Sequence, residues 1–100
     1  MLKEEIKEIL YSDTGVYEKI RNHGDFGCIT DEIKEKLIKY ADEVGKSIDS
    51  GTPDVEGLQI LVGVLAYIHS LDFAKDKEEY EKYKKDYNEL FIQISGKILI

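Results

Sequence analysis

The chain has no tryptophan, one proline (Pro53), one arginine (Arg21) and a single cysteine, Cys28. One cysteine excludes an internal disulfide and agrees with a reducing compartment. Scarce arginine, with a net charge of −7 and a pI near 4.8, opposes the clustered cation surface that phosphate backbones require. Nucleic acid is therefore excluded as the expected partner. The lysines are interleaved with acids, as at Lys82, Lys84 and Lys85 between Glu81 and Asp86, so no basic patch for anionic lipid stands out. The longest apolar run, Ile60 to Ile68, is interrupted only by Gly63 and is about half of what a membrane span needs. No apolar segment follows Met1, where Lys3, Glu4 and Glu5 stand. The expectation is a soluble cytoplasmic protein with one core, because 100 residues are too few for two.

What the chain does have is helical periodicity. Its organising stretch is Thr52 to Leu71, TPDVEGLQILVGVLAYIHSL. Thr52 suits an N-cap, Pro53 the first helical position, and Asp54 and Glu56 the positive end of the helix dipole. Apolar residues from Val55 to Leu71 cover well over half its circumference and leave a narrow strip of Glu56, Gln59, Gly63, Ala66 and Ser70, so a largely buried helix is expected. Before it, Leu2, Ile6, Ile9 and Leu10 form one stripe, with a break expected at residues 12–15 (Ser12, Asp13, Thr14, Gly15). The run Asn22 to Gly27 reads as a loop whose glycines supply unusual backbone angles. Thr30 reads as the cap of a helix along Ile33, Leu37, Tyr40, Ala41, Val44 and Ile48, ending at Asp49, Ser50 and Gly51. Beyond a turn at 72–76, with a capping box from Asp76 to Glu79, the stripe Tyr80, Tyr83, Tyr87, Leu90, Phe91, Ile94 and Ile98 has bundle-seam spacing. The expected fold is all-α: a single antiparallel four-helix bundle over residues 1–100, its first helix broken near 12–15.

Chemistry has few footholds. His23, Asp25 and Cys28 are too few for a metal site, and a thiol without an orienting base reads as packing; no metal or cofactor is expected. His69 lies beside the apolar arc, where an imidazole could carry a phosphoryl group, although packing at a core margin is the commoner role. The seam tyrosines read as core with their hydroxyls at the rim. Ile92, Leu99 and Ile100 are the most partner-like groups, with Lys85, Glu89 and Lys97 beside them, and the apolar end from Lys97 to Ile100 is either presented to a partner or folded back over the core.

The order of elements resembles the immunity proteins of pediocin-like (class IIa) bacteriocins, of the enterocin A type. The residues that carry the likeness are Glu8–Asp13 (EILYSD), Gly24–Gly27 (GDFG), the Leu58, Leu61, Val62, Tyr67 pattern, and Phe73–Glu79 (FAKDKEE). The resemblance implies a cytosolic, non-enzymatic four-helix bundle that protects the cell. It would bind a protein partner at the cytoplasmic side of a mannose phosphotransferase membrane component carrying the bacteriocin, which leaves peripheral membrane association open. Its C-terminal half would govern which bacteriocin is countered, pointing here to Lys85, Glu89, Ile92, Lys97, Leu99 and Ile100. Two other classes stay open: a small phosphocarrier or enzyme using His69, and an acidic inhibitor that imitates nucleic acid or meets a basic partner by electrostatic steering. Oligomeric state is left open.

Overall fold

A computed structural model describes residues 2–73 and 77–99. The described residues are all-α, with no strand among them. In chain order the helices are α1 (Leu2–Tyr11), α2 (Val16–His23), α3 (Asp31–Asp49), α4 (Val55–Ser70), α5 (Lys77–Glu81) and α6 (Lys84–Ile98). Short 3-10 turns occupy Phe26–Cys28 and Leu71–Phe73.

The expected break after α1 is present, and Gly15 makes it. The Gly15 backbone folds so closely over the end of α1 that a Cβ there would stand 2.7 Å from the Ile9 carbonyl oxygen. α2 then sends Val16 and Ile20 into the core that Ile6 and Leu10 enter from α1. α2 runs on through Asn22 and His23, further than the expected loop start, and Gly24 ends it in the left-handed region at φ 61°. Gly27 serves otherwise: it lets the Tyr83 ring lie against the chain, since a Cβ there would sit 3.1 Å from the Tyr83 hydroxyl.

Thr30 caps α3 as expected, its hydroxyl accepting from the Ile33 amide at 3.3 Å. The turn after α3 passes through Gly51 at φ 83°. α4 begins later than expected, because Asp54 and not Thr52 is its N-cap, with the carboxylate accepting from the Gly57 amide at 3.0 Å. The Thr52 hydroxyl is engaged with that of Ser50 at 3.0 Å, and Pro53 stands before the cap. Asp54 prevails because it is held from three sides: its amide donates to Ser47 Oγ, and its Oδ1 also receives Lys3 Nζ, both at 3.0 Å. Gly57 lets α3 and α4 close on each other, as a Cβ there would collide with the Tyr40 hydroxyl and Val44.

Leu37, Tyr40, Ala41 and Val44 of α3, Ile60, Leu61, Val64, Leu65 and Ile68 of α4, and Tyr87, Leu90, Ile94 and Ile98 of α6 form the centre of the core. Among the described residues the most extensive contact between helices joins α3 to α6, where Gly45 makes room for the Lys97 carbonyl. The last stripe buries Tyr80, Tyr87, Leu90, Ile94 and Ile98 as expected, but the helix is not continuous. At Lys82 and Tyr83 the backbone tightens, with the Tyr83 amide donating to the Tyr80 carbonyl at 2.8 Å. That turn lets Tyr80 and Tyr87 both enter the core while Tyr83 packs over Gly27. The Asp76 to Glu79 capping box lies outside the described residues.

α4 differs most from expectation. Its inward face is sealed, but Val55 is 59% exposed, Val62 45% and Phe73 79%. The segment Val55–Phe73, 19 residues of mean hydropathy 1.2, is also long and apolar enough by length and composition to cross a bilayer, which the shorter run Ile60 to Ile68 is not.

Candidate functional site

The residues proposed from sequence for partner contact separate into two groups. Lys85, Glu89 and Ile92 recur at helical spacing along α6 and Leu99 is its C-cap residue; all four are exposed, Ile92 at 67% and Leu99 at 66%. This row lies opposite the buried stripe of Tyr87, Leu90, Ile94 and Ile98. Lys97 belongs elsewhere: its ammonium turns to Asp42 of α3 at 3.4 Å, where Asp42 also holds Lys46 at 3.0 Å. Those two ammonium groups hold the Asp42 carboxyl below the usual carboxylate range, Lys46 contributing most. The apolar end divides, Ile98 entering the core and Leu99 facing out, while Ile100 lies outside the described residues.

The thiol and imidazoles do not assemble into a reactive set among the described residues. Cys28 is buried and burial pushes its thiol up, away from the thiolate a nucleophile needs. His23 is exposed at the end of α2. His69 is exposed on α4, and its recorded neighbour is the Phe73 ring, edge-on at 6.0 Å. The described residues contain no group of three His, Cys, Asp or Glu side chains placed to hold a metal ion.

One concave feature was not foreseen. A cleft of about 420 Å³ opens between the α1–α2 break and α4, lined by Tyr11, Asp13, Tyr17, Arg21, Gly63 and Tyr67 among others. Of its lining residues Tyr17 joins the other two tyrosines, edge-on to Tyr67 with ring centroids 4.7 Å apart and tilted against Tyr11 at 5.5 Å. Burial, then the neighbouring tyrosines, pushes the Tyr17 hydroxyl well above its ordinary range, so it stays neutral. These residues come from three helices, and no local string announces them. The available signal was Tyr11 and Tyr17 placed on either side of the break, with an unfilled Gly63 on a helix otherwise crowded with side chains.

No family model, curated protein or solved structure matches the chain.

The outer face of α6 and its C-cap combine exposed charge, at Lys85 and Glu89, with exposed apolar surface, at Ile92 and Leu99. The cleft has the volume and mixed lining of a small side-chain or ligand pocket.

Proposed function

We propose that this chain is a non-enzymatic helical protein that works by binding another protein through the outer row of α6, in the manner of the bacteriocin immunity proteins its sequence resembles. The observation that carries this reading is the pair Ile92 and Leu99, both apolar and exposed, the first on the outer face of α6 with Lys85 and Glu89 and the second at the C-cap of that helix. Their exposure, at about two thirds each in a chain that is 35% charged, leaves apolar surface that a partner could cover. The reading takes the fold as a four-limbed bundle, with α1 and α2 as one broken limb and α5 and α6 as another, and the all-α character of the described residues supports it. The partner would be the cytoplasmic side of a membrane receptor engaged by a pediocin-like bacteriocin, and the chain's place of action the cytoplasm.

Expression in a bacteriocin-sensitive strain tests this directly. The reading requires protection against at least one pediocin-like peptide by the wild-type chain, and its loss in Ile92→Glu and Leu99→Glu. Unchanged killing by every such peptide, or full protection by both variants, contradicts it.

A further inference from the structure

The outward side of α4 carries a second pattern that the α6 reading does not use. Val55, Gln59, Val62, Ala66 and His69 of α4, with Phe73 of the 3-10 turn that continues it, follow one another at steps of four and three residues, the spacing of a coiled-coil seam. All six are exposed. No Asp, Glu, Lys or Arg occurs between Glu56 and Asp72, and Glu56 is itself turned to Lys3 and Lys7 at 3.4 and 3.0 Å. The seam is therefore uncharged in a protein of net charge −7.

We propose that this seam joins two copies of the chain, with α4 packed antiparallel on α4 about a two-fold axis at the level of Val64. The order of the residues selects this occupant. About that axis Val55 meets the second copy's Phe73, Val62 meets its Ala66, and Gln59 meets its His69. Every apolar position finds an apolar one, and the two polar positions find each other, where an imidazole and a carboxamide can exchange a hydrogen bond. A polar layer of this kind sets register in coiled coils, and an isologous interface must be self-complementary in this way. Two features favour close approach. Gly63 borders the seam with no atom within 4 Å of where its Cβ would be, and Ala66 lies one turn on. An uncharged face also spares two acidic copies the cost of bringing like charges together. The seam is a single face roughly 28 Å long, so the expected association is reversible and in the micromolar range.

Sedimentation equilibrium on the full chain from about 1 μM to about 500 μM, a range that brackets such an affinity, tests the proposal. The expected result is a rise from the 11.5 kDa monomer toward twice that mass, abolished in Ala66→Glu and unaltered in Ile92→Glu. In a Cys28→Ala background, Val62→Cys on one copy and Ala66→Cys on the other should form a mixed disulfide, which fixes the register. A monomer at every concentration overturns the proposal, as does an Ala66→Glu variant that still dimerises with native helicity. Capture of monomers by anionic liposomes without dimerisation also overturns it, by giving the face to lipid. Since Ile92→Glu leaves the mass alone and Ala66→Glu leaves α6 alone, failure here and failure of the α6 reading are separable.

Discussion

The outward faces of α4 and α6 are both left partly apolar, and they differ in kind. On α6, Ile92 and Leu99 stand among Lys85 and Glu89, so whatever covers them must also answer those charges. On α4 and the 3-10 turn after it, the exposed seam from Val55 to Phe73 has no formal charge, and its order of apolar and polar positions is the same in both directions about Val64. A charged, asymmetric row suits a different protein that it can select; a neutral, self-matching row suits a copy of itself. The contrast also separates two meanings of hydrophobicity on one helix. Leu61 is fully buried, and Val62, the next residue, is nearly half exposed.

The sharpest break in that contrast is between those neighbours. Leu61→Ala should cost about 2–5 kcal/mol, whereas Val62→Ala, which opens no cavity, should stay within about 0.5 kcal/mol for the monomer. Urea unfolding of dilute protein measures both, and equal costs would mean that α4 is covered all round. Next in size is Gly45→Ala, whose methyl group meets the Lys97 backbone. It should destabilise by about 1–3 kcal/mol through displacement of α6 and disturb the α6 row before the α4 seam, which amide shift changes would show.

A smaller effect, about 1 kcal/mol, is expected for Asp54→Ala through loss of the α4 cap. The Gly57 amide, then Lys3, holds the Asp54 carboxyl below its ordinary range, so the folded state favours the ionised form. The cap's contribution is thus complete above the unfolded Asp value near ~4 and is lost as pH falls through the folded one. Asp54→Asn should accordingly flatten the acid limb of a stability profile. Smallest in stability are Ile92→Glu and Ala66→Glu, each within about 0.5 kcal/mol for the monomer. Their value lies in opposite functional losses, protection for the first and self-association for the second.

Much of the fold was legible because periodicity and capping report local preferences. The break at 12–15, the Thr30 cap, the Gly51 turn and the buried stripe from Tyr80 to Ile98 were all readable. The start of α4 was misplaced because Asp54 is selected by Lys3, distant in sequence, and by Ser47 across the turn. The bend at Lys82 and Tyr83 was hidden because neither Gly nor Pro marks it; the packing of three tyrosines requires it. For the site, spacing placed Lys85, Glu89 and Ile92 on one face, but it could not show that Leu99 would face out while Ile98 entered the core, nor that Lys97 would be drawn to Asp42. The exposure of Val55, Val62 and Phe73 was missed because apolarity says that a side chain avoids water without naming what covers it. The tyrosine cleft required three helices to meet.

Hydroxyl-radical footprinting of side chains, followed by mass spectrometry, tests the uncovered faces of α4 and α6 most directly. In dilute protein Val62, Phe73, Ile92 and Leu99 should all be oxidised readily while Leu61 and Ile94 are spared. At high concentration Val62 and Phe73 should become protected and Ile92 and Leu99 should not. Protection of Ile92 and Leu99 in the dilute chain, or reactivity of Val62 and Phe73 that ignores concentration, would contradict the account.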